Sequence, residues 1–195
     1  MAKSADKDAA PDGRRLRSER SKQAIVDALV AMIGEGNLIP TAQQVSERAG
    51  VGIRSVFRHF EDMETLFLEA DEARRQSYEA VFLGGDREGK LEDRIVHAVE
   101  QHAVGYELFG NVMRMTLAQR WRYQTLRKNY SRYQRGLRKD LDNWLPELEG
   151  MEPAAREAVD AVASFEFWNR LRDHQGLSKS AAIDIVVNTL TALIK

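Results

Sequence analysis

The stretch that decides the fold is TAQQVSERAGVGIRSVFRHF, residues 41–60. Thr41 begins a short helix, because Gln44 stands three residues later and completes a capping box. Gly50 provides the left-handed position that ends this helix, and a second short helix runs from near Gly52 to about Phe60. Five apolar residues have the spacing to pack inward: Val45, Ala49, Val51, Val56 and Phe60. The stretch therefore predicts a helix-turn-helix.

Helical patterns continue on both sides of this pair. Residues 1–20 carry Pro11 and Gly13 and end in a basic run, which predicts a flexible basic arm. A first helix is expected from Ser21, and later helices over residues 63–83, 91–109, 112–145, 153–174 and 178–195. No stretch alternates polar and β-branched residues as a strand would. We expect an all-α protein with an arm (1–20), a three-helix domain (21–65) and a larger helical domain (66–195).

The composition excludes several classes of protein. The chain has 195 residues, of which 43% are hydrophobic and 30% charged, and it contains no cysteine. Disulfides, thiolate chemistry and cysteine-based zinc sites are therefore excluded. No run approaches the roughly 18 apolar residues of a membrane span, and the charged beginning of the chain does not resemble an export signal. These features predict a cytoplasmic globular protein.

The second helix of the pair presents a polar and basic face. Its outward residues are Ile53, Arg54, Ser55, Arg58 and His59. Arginine can bond guanine edges with two hydrogen bonds, and isoleucine can contact a thymine methyl group. No acidic residue lies between Arg48 and Phe60, so phosphate repulsion is absent from this stretch. The pattern predicts a helix that reads a major groove of duplex DNA.

Two further contacts to DNA are predicted. Thr41 and the first turn of its helix have free N–H groups that can hold a phosphate. Arginines of the arm can enter the neighbouring minor groove, namely Arg14, Arg15 and Arg17. A solvated basic face on an ordinary helical protein is the alternative interpretation of the same pattern.

The motif resembles the N-terminal signature of the TetR family of transcriptional regulators. The matching residues are Thr41, Val45-Ser46, Ala49-Gly50-Val51, Phe57, His59-Phe60 and Leu66. This resemblance implies a ligand-responsive regulator, most often a repressor, that binds a near-palindromic operator as a homodimer. It implies no enzyme activity and no cofactor. The matching residues span positions 41–66, about an eighth of the chain, and the remainder of this family varies too much in sequence to extend the match.

Three residues depart from the family pattern. Gly52 stands where family members have a Ser or Thr that caps the reading helix. Without the capping hydroxyl, the helix loses a few tenths of a kcal/mol of stability. Phe57 replaces a Tyr, so a hydroxyl contact to phosphate is lost while the ring can still pack. Met63 replaces a Lys that would also contact phosphate. DNA binding is therefore expected to depend more on Arg54, Arg58, His59 and the basic arm.

The last part of the chain predicts an interface between two copies. The final helix is apolar in two directions, whereas a helix packed on one side needs a single stripe. Family members of this kind dimerise through their final two long helices. The expected interface residues are Val162, Phe165, Ile183, Val187, Leu190 and Ile194. Burial of both stripes inside one subunit is the alternative.

The resemblance also implies an effector pocket between the middle helices. Aromatic and methionine side chains form the adaptable apolar wall that a small ligand needs. The candidate lining residues are His102, Tyr106, Phe109, Met113, Trp121, Tyr123 and Trp168. Ordinary core packing is the alternative for each of them, since aromatic residues dominate most cores.

A basic segment follows, with nine basic residues and no acidic one between Val112 and Lys139. Its members are Arg114, Arg120, Arg122, Arg127, Lys128, Arg132, Arg135, Arg138 and Lys139. A solvated face matched to acids elsewhere is expected, and an anion-binding surface is the alternative. A pocket containing Arg114 or Arg120 would favour a carboxylate or acyl-thioester ligand.

Enzyme signatures are incomplete in this chain. Residues 84–90 have the glycine spacing of a phosphate-binding loop, but Leu91 takes the place of the Mg²⁺-binding Ser or Thr. The histidines lack the spacing of metal sites, and no nucleophile elbow is present. The competing function is a helical oligomer that acts as a protein-interaction scaffold through its basic face.

Overall fold

The protein is described here by a computed structural model, which covers residues 13–195. The N-terminal half forms five helices, α1 (Gly13–Gly34), α2 (Ala42–Arg48), α3 (Ile53–His59), α4 (Met63–Phe82) and α5 (Leu91–Gln119). Then come α6 (Gln124–Trp144), a 3₁₀ turn (Pro146–Gly150), α7 (Pro153–Val162), α8 (Phe165–Asn169), a π-helical turn (Arg170–His174) and α9 (Lys179–Ile194). Residues 13–195 contain no strand, which confirms the all-α prediction.

Two hydrophobic clusters organise these helices. The first joins α1, α2 and α3 to the start of α4 and also takes in Met115 of α5 and Leu126 of α6. The second fills the space between α5, α6, α7, α8 and α9, with Trp144 fully buried in it. The three N-terminal helices with the first turns of α4 form a head, and the remaining helices form a body. In the part of the chain described, no helix combines the length and apolar character needed to cross a membrane.

The prediction of a flexible arm is wrong from Gly13 onward. Residues 13–20 are the first two turns of α1, which continues without a break into the buried part that contains Ile25 and Leu29. Arginine, leucine and glutamate are good helix formers, and no proline or glycine interrupts residues 14–33. The helix therefore extends beyond the residues that it buries. Residues 1–12 of the predicted arm lie outside the described residues.

The expected helix break at Gly110 is also wrong, because α5 continues through it to Gln119. A glycine inside a helix costs only about 1 kcal/mol, and packing of α5 against α4, α6 and α9 outweighs that cost. A second glycine of this helix is needed for close packing. A Cβ atom on Gly105 would lie 2.3 Å from the Phe82 ring, so α4 approaches α5 closely at this point.

The helix predicted over residues 153–174 is divided in the structure. Its first part, α7, ends at Val162, and Ser164 then caps α8 by accepting a hydrogen bond from the Phe167 N–H at 3.2 Å. A serine at an N-cap starts a new helix because its side chain bonds a backbone donor that would otherwise be unpaired. The chain leaves α8 through the π-helical turn and Gly176, whose φ of +67° suits a glycine.

Candidate nucleic-acid interface and interior cavity

The helix-turn-helix is held rigid by its buried side. Val45, Val56 and Phe60 are fully buried, and Ala49 and Val51 are half-buried against the same cluster. Gly50 has a φ of +64°, the left-handed conformation predicted for the turn. Because α2 and α3 share this apolar side with α1, the opposite face of α3 is presented to solvent in one orientation.

The predicted capping box at Thr41 is present. The Thr41 Oγ1 accepts from the Gln44 N–H at 3.3 Å, and the Thr41 N–H donates to Gln44 Oε1 at 3.0 Å. The Thr41 hydroxyl also donates to Gln44 Oε1 at 3.2 Å. This hydroxyl is therefore occupied within its own helix, and its contact to a phosphate stays a prediction.

The outward face of α3 carries the predicted reading residues. Arg54 and Arg58 are exposed, and Phe57 is 52% exposed, which is unusual for a phenylalanine. Ile53, Ser55 and His59 are half-buried at the edges of this face. Arg54 has no hydrogen-bond partner in residues 13–195, so its guanidinium is available to a ligand. We call Ile53, Arg54, Ser55, Phe57, Arg58 and His59 the reading face.

The basic surroundings of His59 affect the protonation of its imidazole. Partial burial lowers the pKa of its imidazole, and the nearby charges of Arg58 and Lys22 lower it further. The Arg58 Nη2 lies 3.5 Å from the His59 Nε2. A neutral imidazole at pH 7 both donates and accepts hydrogen bonds, so His59 can bond either a base edge or a phosphate.

The α3 cap offers a test of the local energetics. Gly52 is the N-cap, with φ −70° and ψ 146°, and a Cβ placed there would meet nothing within 4 Å. We expect Gly52→Ser to stabilise the protein by a few tenths of a kcal/mol, because the new hydroxyl can bond a free N–H of the first turn. Calorimetric melting temperatures measure this. Gly52→Ala is the control, and equal stabilisation by alanine would contradict the capping explanation.

Arg14, Arg15 and Arg17 lie on the helical extension of α1 rather than on an arm. All three are exposed, and the Arg17 Nε donates to the Gly13 carbonyl at 3.1 Å. A helix of full diameter does not enter a B-DNA minor groove about 6 Å wide as an extended arm does. These residues therefore form a basic helix end, and their contact to a minor groove stays a prediction.

A cavity of about 660 Å³ lies in the middle of the molecule. Its walls come from α4, α5 and α6, with Val30 and Ile33 of α1 added from the head. Aromatic side chains dominate the wall: Phe67, Tyr78, Phe82, Phe109, Tyr130, Tyr133 and Phe165. The volume lies within the range of sites for small organic ligands, roughly 300–1,000 Å³.

Several solved structures share this helix arrangement. A TetR-family regulator from Streptomyces coelicolor superposes with a TM-score of 0.68 at 16% identity, covering 90% of this chain and 80% of its own. The chain has the TetR fold. A regulator from a Rhodococcus species gives a TM-score of 0.62 at 18% identity, covering 89% of this chain and 95% of its own.

A third structure with the TetR fold is the multidrug binding protein EbrR in complex with imidazole. It gives a TM-score of 0.61 at 19% identity and covers 99% of this chain and 98% of its own. No protein-family model matches the chain. No curated protein sequence matches it either. The likeness to TetR-fold proteins therefore lies in the three-dimensional arrangement rather than in the overall sequence.

Two of the seven predicted lining residues, Phe109 and Met113, line this TetR-fold cavity. The prediction is wrong for Trp121, which is 81% exposed in the turn between α5 and α6. Tyr123 instead packs edge-on against Phe67, with ring centroids 5.2 Å apart. The remaining three residues lie in the core of the body.

Each of those three core residues is hydrogen-bonded to another residue of the protein. The His102 Nε2 lies 3.0 Å from Asp140, and the Tyr106 hydroxyl donates to the Ala163 carbonyl at 2.8 Å. The Trp168 Nε1 donates to Glu107 at 3.1 Å. Since all three rings are buried and bonded, they form structure rather than the wall of the main cavity.

The sequence prediction missed the contribution of α4 and α6. Within α6 the lining residues Leu126, Tyr130, Tyr133 and Leu137 are three or four positions apart, and Asn129 lies beside them. This stripe is present in the sequence, but it is embedded in the basic segment, of which Arg132 and Lys139 also line the cavity. The helical period of the stripe is the signal that would have found it.

Part of the basic segment is matched to partners on neighbouring helices. Arg132 pairs with Asp71 at 2.7 Å, and Arg138 pairs with Glu157 at 2.6 Å. Arg114 donates to Asn169 at 2.8 Å, and the Arg120 guanidinium lies over the Tyr130 ring at 4.1 Å. Neither Arg114 nor Arg120 lines the cavity. These contacts support the interpretation of a solvated, charge-matched face.

The interface prediction is wrong for two of its residues. Phe165 and Leu190 are buried inside the subunit, where Phe165 packs against Tyr106 with ring centroids 5.6 Å apart. The stripe of α9 that faces the body is Ala182, Val186 and Leu190, so one of the two predicted stripes is largely internal. The other expected interface residues, Val162, Ile183, Val187 and Ile194, are half-buried at the surface of α7 and α9.

Proposed function

We propose that this protein is a sequence-specific DNA-binding transcription regulator that acts in the cytoplasm, rather than an enzyme. The reading face carries the proposal. It presents two exposed arginines and an exposed phenylalanine on a short helix, and the opposite side of that helix is locked into the core of the head. Such a helix can enter a major groove with its side chains directed at base edges.

The experiment that tests DNA binding is selection from a random duplex pool. The purified chain is expected to enrich a short, near-palindromic sequence. Its affinity for that sequence should fall steeply with salt, because several phosphate contacts release counterions. The proposal is contradicted if, at low salt, the protein binds neither the random pool nor any enriched sequence.

We also propose that the operator is bound by a homodimer formed through α7 and α9. The half-buried apolar residues Ile183, Val187 and Ile194 support this, together with Ile185, which is exposed on the same helix. Two copies would place their reading helices roughly 34–36 Å apart, so that they meet successive major grooves.

The dimer is tested with Val187→Glu. A charge in a desolvated apolar contact is costly, so the dissociation constant of the dimer is expected to rise about tenfold or more. Sedimentation velocity measures the mass as a function of concentration. Asn188→Glu is the control, because it introduces the same charge at the next, exposed position of α9. An unchanged dimer in Val187→Glu, or a monomeric wild type, would contradict this interface.

Finally, we propose that a ligand in the cavity relieves repression by moving the head. Val30 and Ile33 of α1 and Phe67 and Ala70 of α4 line the cavity and also belong to the cluster that supports α3. Body side chains bond the head directly, since the Gln119 amide donates to the Leu38 carbonyl at 2.9 Å. A ligand that shifts these helices would change operator affinity, with a coupling free energy of typically 1–3 kcal/mol.

A further inference from the structure

The charged groups on the cavity wall are already neutralised by the protein. Asp71 accepts hydrogen bonds from Arg132 and from the Tyr133 hydroxyl, both at 2.7 Å. Asp140 accepts from Arg87 at 2.7 Å and is bonded to His102 at 3.0 Å. The other two charged lining residues, Glu79 and Lys139, are exposed, so solvent screens them.

A charged ligand would therefore find no buried counter-charge in this cavity. Moving an ion out of water is costly unless an opposite charge or several hydrogen bonds replace its hydration. To pair with Asp71, a cation would have to displace Arg132, and an anion that bonds Arg132 would lie beside the Asp71 carboxylate, which repels it. The wall thus favours a neutral molecule.

Two residues of α6 that line the cavity each carry a buried hydrogen-bond donor without a partner among the described residues. Asn129 is only 6% exposed, and its side-chain Nδ2 makes no hydrogen bond to any residue between 13 and 195. The Arg132 Nε is likewise buried and unpaired in the described part of the chain, although its Nη2 bonds Asp71. Positions three apart on a helix are neighbours, so both donors lie on one side of α6.

Unpaired buried donors are costly, typically by about 1–3 kcal/mol each, and a ligand that satisfies them gains specificity. An oxygen atom with lone pairs, such as a carbonyl oxygen, accepts from both an amide and a guanidinium N–H. The aromatic walls around them suit a flat, apolar body.

We propose that the effector of this cavity is a neutral, predominantly aromatic molecule whose carbonyl oxygen accepts a hydrogen bond from Asn129. The proposal rests on the proposed function only in treating the ligand as an effector. Its chemistry is derived from the wall alone. The donors of α6 set the position of the oxygen, and the aromatic residues of α4 and α5 cover the rings.

Four matched probes test the ligand class by equilibrium dialysis. They are benzophenone, its hydrocarbon analogue diphenylmethane, the anion 4-benzoylbenzoate and the cation (4-benzoylbenzyl)trimethylammonium. Wild-type protein is expected to bind benzophenone about tenfold more tightly than either charged probe. Equal or tighter binding of a charged probe would overturn the proposal.

The role of Asn129 is tested with Asn129→Leu, which preserves volume and removes the amide. The preference for benzophenone over diphenylmethane is expected to fall about three- to tenfold in this variant, because one hydrogen bond is lost. Using the ratio cancels the different hydrophobicity of the probes. Gln76→Leu, at an exposed position of α4 outside the cavity lining, is the control and should leave the ratio unchanged. An unchanged ratio in Asn129→Leu would overturn the assignment.

Benzophenone also marks its own site, because irradiation inserts its carbonyl carbon into nearby C–H bonds. Peptides from α4, α5 and α6 are expected to carry the label, and labelling confined to helices that do not line the cavity would contradict the site. This readout and the four-probe comparison use the wild-type chain, so they do not depend on folding of the variant.

Retention of operator DNA is measured on the same samples. Failed probe binding with intact DNA binding rejects only this inference, whereas lost DNA binding with intact probe binding rejects the proposed function.

Discussion

Arg58→Ala is expected to weaken binding to the selected operator by roughly 1–3 kcal/mol, or 5- to 150-fold, while leaving the fold intact. Arg58 is exposed on the reading face, and its only hydrogen-bond neighbour among residues 13–195 is His59, at 3.5 Å. Removing it therefore costs little within the protein. The loss falls on the contact to DNA, where an arginine can form two hydrogen bonds to a guanine.

The measurement is a titration of labelled operator and of an unrelated duplex at several salt concentrations. A base contact predicts that Arg58→Ala reduces discrimination between the two duplexes. A phosphate contact predicts a uniform loss and a salt slope smaller by about one. Arg127→Ala is the control, since it removes the same charge from an exposed position of α6 in the body. Equal losses in the two variants would show that net charge, and not the reading face, determines binding.

Asp140→Ala is expected to lower the free energy of unfolding by about 3–5 kcal/mol, because it leaves the partly buried Arg87 guanidinium and the buried His102 and Trp144 rings without their acceptor. Asp140 is 3% exposed and accepts from Arg87, while its second oxygen lies 3.0 Å from His102 and 3.1 Å from the Trp144 Nε1. The Arg87 guanidinium also lies over the Trp144 ring at 4.8 Å. One carboxylate therefore ties α5, α6 and the loop between α4 and α5 together.

Urea unfolding followed by circular dichroism measures this loss. Asp27→Ala is the matched control, because Asp27 pairs with Arg74 and both side chains are about half-exposed to solvent. Its loss should stay below about 1 kcal/mol, as is typical of surface ion pairs. A small loss in Asp140→Ala combined with altered binding of the neutral probes would instead assign Asp140 to ligand recognition.

The helix-turn-helix was predictable because its signals are local. The capping box of Thr41 and Gln44, the left-handed turn at Gly50 and the inward spacing of Val45 and Val56 all lie within one short stretch. Capping and turn conformation depend on residues a few positions apart, so the sequence contains the information that determines them. The same holds for the all-α class, which follows from helical periodicity along the chain.

The errors share a different cause. Trp121, His102 and Trp168 were proposed as lining residues because of their residue types, yet a ring can be exposed, bonded in a core or placed on a cavity wall. Which of these occurs depends on the helix that packs beside it. Gly110 was expected to end a helix, and it does not, because contacts from three other helices outweigh a local cost of about 1 kcal/mol.

By itself, the sequence determined the all-helical class, the helix-turn-helix at residues 41–60 and the composition of its reading face. Only the tertiary structure decided that residues 13–20 extend α1, that α6 turns its tyrosines and Asn129 toward a cavity, and that Leu190 and Phe165 belong to the interior. The physical reason is the distance along the sequence between the residues that interact. Caps, turns and helical periods are set by neighbours along the chain, whereas a cavity exists only where helices distant in sequence leave space between them.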